Sequence, residues 1–215
     1  MIPVRIGSQR LHKKNLRRLH GVTLIERAVE KCKKAKVFDE IWVNSEDITF
    51  KKYAEQNDVN FHKRPAKLGN NNATSEDYIE EFLKHRPCDL LVQVHSIAPL
   101  LTVSEISEFV ETFKSSSDDV LLSFTSEQIE CAYQNKPINF TFKEKTNSQL
   151  LKPVQRIIWS ISGWRRSTFL EASQEGKCST YAGKIGYFEV NHLAGHVIKN
   201  EEDLSIAEAL LPLIQ

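Results

Sequence analysis

No apolar run in this sequence of 215 residues comes near the ~20 residues that a membrane-spanning helix needs. The opening residues also lack the apolar core and small-residue cleavage site of a secretory signal. Neither charge is in excess: 29 Lys and Arg stand against 28 Asp and Glu, a net of +1. Domains that coat DNA or RNA normally carry a basic surplus, so that class is disfavoured, while a local pocket for a small anion is not. Cysteine is sparse. Cys32, Cys88, Cys131 and Cys178 lie far apart with no C-x-x-C pair. That spacing argues against a zinc site and a compact disulfide framework, and for reduced thiols in a cytoplasmic protein. Internal repeats and low-complexity tails are absent.

What is present fits one ordinary globular domain spanning 1–215, with 40% apolar and 27% charged residues, enough for one sizeable core. Its organising stretch is the first. A short apolar strand, Ile2-Pro3-Val4, runs into Arg5-Ile6-Gly7-Ser8-Gln9-Arg10, and Lys13, Lys14 and Asn15 follow. Such a loop can meet a polyphosphate through backbone N–H groups, a hydroxyl and cationic side chains, with glycine allowing close approach. It can equally be a solvated basic turn. The first strand has almost no residues ahead of its loop, so the expectation is a late start or a trimmed chain.

Apolar positions Leu24, Ile25, Ala28, Val29 and Cys32 recur at helical spacing after Thr23. A strand at Ile41–Val43, a helix from about Ile48 to Gln56 and a strand at Val59–His62 continue the alternation, which predicts parallel βαβ units. Ligands in such sheets bind beyond the carboxyl ends of the strands, where the first loop falls. Thr74 or Ser75 caps a helix bearing Tyr78, Ile79, Phe82 and Leu83, with Glu76 and Asp77 in its first turn. Leu90–His95 reads as a buried strand, and Gln93 inside it needs a hydrogen-bond partner, either a ligand or neighbouring backbone. Thr102 or Ser104 opens a helix reaching Phe113, and Val120–Phe124 resumes the sheet. From 131 to 166 the pattern changes: Phe140–Lys143 alternates like a hairpin strand, 149–156 is irregular, and Ile157–Trp159 is apolar. Such an excursion suits a subunit contact or a lid. Trp159 and Trp164 are read as core or interface before ligand-stacking residues. A helix over Ser167–Ser173, strands at Gly186–Val190 and His196–Ile198, and a final helix opened by Asn200, Glu201, Glu202 and Asp203 complete the chain.

The opening stretch resembles the signature of the CMP-sugar synthetases, the acylneuraminate and 3-deoxy-sugar-acid cytidylyltransferases, written I-P-A-R-x-G-S-K-x-x-x-x-K-N. Further matches follow in order: Val43-Asn44-Ser45-Glu46, Arg64-Pro65-Ala66-x-Leu68, Thr74-Ser75, Leu91-Val92-Gln93 with Pro99-Leu100, and Glu201-Glu202-Asp203-Leu204. The resemblance implies an α/β, Rossmann-like, mostly parallel sheet with helices on both faces, of nucleotidyltransferase type, plus a dimerisation ribbon over 131–166. It implies transfer of CMP from CTP to a sugar acid such as sialic acid, with magnesium as cofactor, release of pyrophosphate and a homodimer. Carried over, Arg5, Ser8 and Lys14 hold the triphosphate, with Gly7 and Gln9 in the same loop, and Arg5 and Lys14 carry the catalysis. Asn15, Arg64, Ser75 and Gln93 line the nucleotide pocket.

The sequence departs from that pattern in three places. Gln9 replaces a lysine, with Arg10 beside it. Trp159–Gly163 replaces the Asn-Gly of the sugar site. The two metal-binding aspartates before the last helix stand as Val197 and Lys199, so no metal ligand is assigned, and Lys199 can supply a fixed positive charge instead. These departures keep a second reading open, a catalytically silent relative that binds a nucleotide or nucleotide sugar. A nucleotidyltransferase with another base or acceptor is weaker. RNA binding is weakest, since no aromatic residues interleave the basic ones.

Overall fold

A computed structural model describes residues 1–214. Strand β1 (Ile2–Pro3) pairs in parallel with β2 (Trp42–Ser45), and β2 with β3 (Asn60–Lys63). A second ladder holds β4 (Leu90–Val94), β5 (Val120–Glu127), β6 (Val154–Arg165) and β7 (Ile185–Glu189) in the order β7-β5-β6-β4. Met1 joins the two ladders. Its backbone nitrogen donates to the Val92 carbonyl at 2.7 Å, and the Val94 N–H donates to the Met1 carbonyl at 3.1 Å. The continuous order is therefore β3-β2-β1-β4-β6-β5-β7. All neighbours run parallel except β6, which is antiparallel to both β4 and β5.

Side-chain alternation along these strands builds two cores, one on each face. Ile2, Val43, Val92, Val94 and Leu121 pack against α1 (Leu24–Ala35), α2 (Lys51–Gln56) and α4 (Val103–Ser115). Met1, Leu91, Val120, Leu122 and Trp164 pack against α3 (Ser75–His85) and α5 (Arg166–Gln174). A third cluster, Leu11, Leu19, Leu24, Leu100 and Ile198 with Leu204 and Ala207, seats α6 (Glu201–Leu210) beside the first loop. Trp164 is a core residue, while Trp159 is half-buried and near Tyr181.

Three local expectations are corrected. The expected excursion over 131–166 is shorter than that, because β6 occupies its second half within the main sheet. What leaves the sheet is the segment between β5 and β6. Its only ladder among the described residues is Ala132–Tyr133 with Lys136–Pro137, and Phe140–Lys143 is not a strand. Those phenylalanines pack edge to face on each other, which satisfies their alternation without a partner strand. His196–Ile198 is not a strand either. The His196 N–H donates to the Leu193 carbonyl and the Ile198 N–H to the Ile97 carbonyl, both at 2.9 Å, and the segment's apolar character is used by burying Ile198.

Candidate functional site

At the carboxyl ends of β1, β2 and β4 the chain direction diverges, since β1 is followed on one side by β2 and on the other by β4. Loops leave a crevice at such a point. The first loop is fixed there by its backbone. The Val4 N–H donates to the Asn44 carbonyl at 3.0 Å, and the Ile6 N–H donates to Glu46 Oε1 at 2.9 Å. Asn15 is buried, donates from Nδ2 to the Arg5 carbonyl at 2.9 Å, and accepts from Ser96 Oγ at 2.8 Å. One amide thus ties the two ends of the loop to the turn after β4. Lys13 sits in the left-handed region, φ 47°, where the chain doubles back before Lys14.

A cavity of about 320 Å³ opens beside this loop, lined by Arg5, Lys14, Asn15, Arg64, Ser75, Tyr78, His95 and Ser96 among others. Five of the residues expected to bind nucleotide therefore converge: Arg5, Lys14, Asn15, Arg64 and Ser75. Arg5 reaches across to the Asn70 carbonyl (3.3 Å) and Asn71 Oδ1 (3.2 Å). Ser75 is the first residue of α3, at the positive end of its dipole. Thr74 is the N-cap, in a capping box with Asp77.

Arg64 lines the cavity and also holds its walls together. It is buried, and its guanidinium donates to the Val4 carbonyl (2.9 Å), Asn44 Oδ1 (3.2 Å) and Glu46 Oε2 (2.9 Å) while lying over the Tyr78 ring. It braces the crevice more than it reaches into it. Gln93, expected to line the pocket, lies behind it. It is fully buried, donates to the Tyr78 hydroxyl at 3.3 Å, and its Oε1 is 3.0 Å from His95 Nε2. Gly7, Ser8 and Gln9 stand outside the lining. Gly7 and Gln9 are exposed, and a side chain at Gly7 would meet nothing within 4 Å.

Electrostatics single out two groups. Burial, then the nearby Arg10 and Arg5 charges, push the Lys14 ammonium down to about 8; Asp203 pulls the other way, and Lys199 adds the smallest push. Burial and the Lys14 charge push His95 down to about 4, so its imidazole is neutral near pH 7. With Gln93 Oε1 accepting from Nε2–H, that neutral ring keeps Nδ1 as its acceptor. His95, Tyr78 and Ser96 escaped sequence reasoning as site residues. The available signal was position, since His95 directly follows the strand Leu90–Val94.

The donor set does not fit a protein-held magnesium ion, which takes oxygen ligands and usually one or two carboxylates. No Asp or Glu lines the cavity, and the described residues contain no group of three or more His, Cys, Asp or Glu suited to a metal. Asp203 accepts from the Lys199 and Asn200 N–H groups at 2.7 and 3.1 Å, closing the cap of α6. A larger cavity, about 440 Å³, lies at the amino ends of β2 and β4. Trp42, Phe82 and Leu91 line it together with Asp39, Glu40, Asp89, Arg86 and Lys114, charges of both signs. Among the described residues no helix is long and apolar enough to cross a membrane.

A family model described as Cytidylyltransferase matches residues 1–210. N-acylneuraminate cytidylyltransferase A of Danio rerio is 28% identical over 124 residues, covering 57% of this chain and 29% of that protein. The 3-deoxy-manno-octulosonate cytidylyltransferase of Bdellovibrio bacteriovorus is 32% identical over 113 residues, 53% of this chain and 44% of that protein. The matched region thus spans less than half the length of either curated relative. Among solved structures, a CMP:2-keto-3-deoxy-manno-octonic acid synthetase complexed with CTP superposes with a TM-score of 0.76 at 14% identity, over 99% of this chain and 97% of that one. The 4-diphosphocytidyl-2C-methyl-D-erythritol synthase of Anaerococcus prevotii gives 0.71 at 14% identity, over 98% and 95%. At that identity the likeness shows the fold.

Proposed function

Because the chain belongs to the cytidylyltransferase family, we propose that it binds CTP in the crevice at the ends of β1, β2 and β4 and transfers CMP to a sugar acid. The observation that carries this is the convergence of Arg5, Lys14, Asn15 and Ser75 on one cavity at the point where the strand order reverses. The acceptor class, a nonulosonate or a 3-deoxy sugar acid, follows from the two relatives named above.

In this reaction an acceptor hydroxyl oxygen attacks the α-phosphorus and gives up its proton to solvent, the bond to the bridging oxygen breaks, and pyrophosphate departs with its electron pair. Such a step needs alignment and charge neutralisation more than covalent help. Arg5 and Lys14 supply fixed positive charge for the phosphates. Asn15 and Ser96 hold the loop at the end of β4, and the Gln93-His95-Tyr78 chain gives the cavity an uncharged polar wall. Half-buried Ser8 and exposed Gln9 offer further donors in the same loop.

The segment between β5 and β6 leaves Ile129, Tyr133, Ile138, Phe142 and Leu150 exposed, which fits a homodimer formed through it. The four unbridged cysteines fit the reducing conditions of a cytoplasmic protein.

The test is pyrophosphate release by purified protein supplied with CTP, magnesium and a panel of sugar acids. Acceptor-dependent release is expected. The absence of a free carboxylate at the cavity favours a second reading, a nucleotide-binding relative without turnover, and CTP binding with no release from any acceptor would identify it. No CTP binding at all would overturn both.

A further inference from the structure

A nucleoside triphosphate reaches many sites with a divalent metal that the protein's carboxylates help to hold. This crevice is built the other way. Its lining holds Arg5, Lys14 and Arg64 and no acidic residue. Five carboxylates on the surrounding elements are already engaged. Glu46 accepts from the Ile6 N–H and from Arg64, both at 2.9 Å. Asp77 accepts from the Thr74 N–H at 2.6 Å, and Asp47 from the Thr49 N–H at 2.7 Å. Asp203 is closed by the Lys199 and Asn200 N–H groups, and Glu201 is paired with Arg17.

Resting on the nucleotide reading of the same cavity, we propose that the site takes the triphosphate without a protein-held divalent metal, through the fixed cations Arg5, Lys14 and Lys199. Lys199 lies outside the cavity lining, close enough to Lys14 for its charge to act there. Its backbone is pinned by Asp203, and the third apolar cluster, through Ile198 and Leu204, holds that segment beside the first loop. The charge balance supports the assignment: Arg10, Arg5 and, by less than the opposing Asp203, Lys199 disfavour the charge on Lys14, a tension that a bound polyanion relieves and a divalent cation adds to. Metal-free nucleotide is then bound at least as tightly as its magnesium complex.

Titration calorimetry of the full chain with CTP, once in excess EDTA and once in saturating magnesium, tests this. Affinity in EDTA equal to or greater than that in magnesium is expected. A loss of more than tenfold on chelation overturns the proposal, and absence of binding in both buffers overturns the nucleotide reading beneath it. Lys199→Asp supplies the second arm, with its fold checked by circular dichroism. Its binding in EDTA should fall about tenfold or more, the scale of one charge-assisted contact, and magnesium should restore part of the loss. Lys199→Gln should show the fall without the restoration. Unchanged binding by both variants in EDTA removes Lys199 from the site and overturns the assignment.

Discussion

Arg5 and Arg64 are two arginines of one crevice with opposite assignments. Arg64 is 3% exposed and shares a buried pair with Glu46, 10% exposed. Removing one partner of such a pair strands the other's charge, which costs about 3–5 kcal/mol. Arg64→Ala is expected to lower stability by that amount in urea melts. Arg5 touches only Asn70 and Asn71 at the rim. Arg5→Ala should leave the melt nearly unchanged and weaken CTP binding by about tenfold or more, read by calorimetry. Lys14 adds a pH dependence whose sign differs between folding and binding. Its folded value is about 8 against an ordinary 10.5, so between those values the unfolded chain holds a proton that the folded chain has released. The burial penalty is therefore relieved, and stability from this group rises, as pH goes from 8 to 10.5. Binding needs the ammonium, so CTP affinity should fall from about pH 8 upward, and Lys14→Met should flatten that part of the profile.

Caps decide where the elements begin. Thr23, Thr74, Thr102 and Asn200 each close a capping box with the residue three positions on. Side chain and backbone act within one turn in each case, which is why these helix starts were legible without the fold. At α6 the box bears on function, because Asp203 organises the segment that carries Lys199. Asp203→Ala is expected to cost about 1 kcal/mol, and so to lower Tm by about 2–4 °C in a chain of this size. It should leave the ratio of CTP affinities with and without magnesium unchanged, as suits a cap and not a metal ligand. Strand β6 was the least legible element. Its register shifts between Ile158 and Ser162, and Ser123 Oγ donates to the Ile158 and Ile161 carbonyls at 2.9 and 2.6 Å to satisfy the gap. A residue from another strand thus completes a run that lacks clean alternation. Gly163 belongs to the same fit, since a Cβ there would come within 2.8 Å of the Phe113 ring.

For the whole molecule, the exposed apolar residues between β5 and β6 bear on assembly. Phe142 and Leu150 are each 76% exposed, a high value for large apolar side chains. The double variant Phe142→Glu with Leu150→Glu is expected to shift a dimer to monomer in light scattering while leaving Tm within a few degrees. A monomeric parent protein would remove the homodimer from the proposed function.

Local physics made much of this protein readable in advance. The βαβ alternation, the four capped helices and the ordered run of motifs from Ile2 to Leu204 depend on neighbours in sequence, and the sequence by itself determined them. Arg5, Lys14, Asn15 and Ser75 were picked out by the family resemblance, and the fold brings them to one cavity. Only the tertiary structure decided that Arg64 spends its donors on Val4, Asn44 and Glu46, or that Gln93 stands behind His95 and Tyr78. It also decided that Glu46, Asp47, Asp77, Glu201 and Asp203 are already engaged. Hydrogen-bond partners in a buried site come from chain segments far apart in sequence, and a group's charge and reach are settled by which of them arrive.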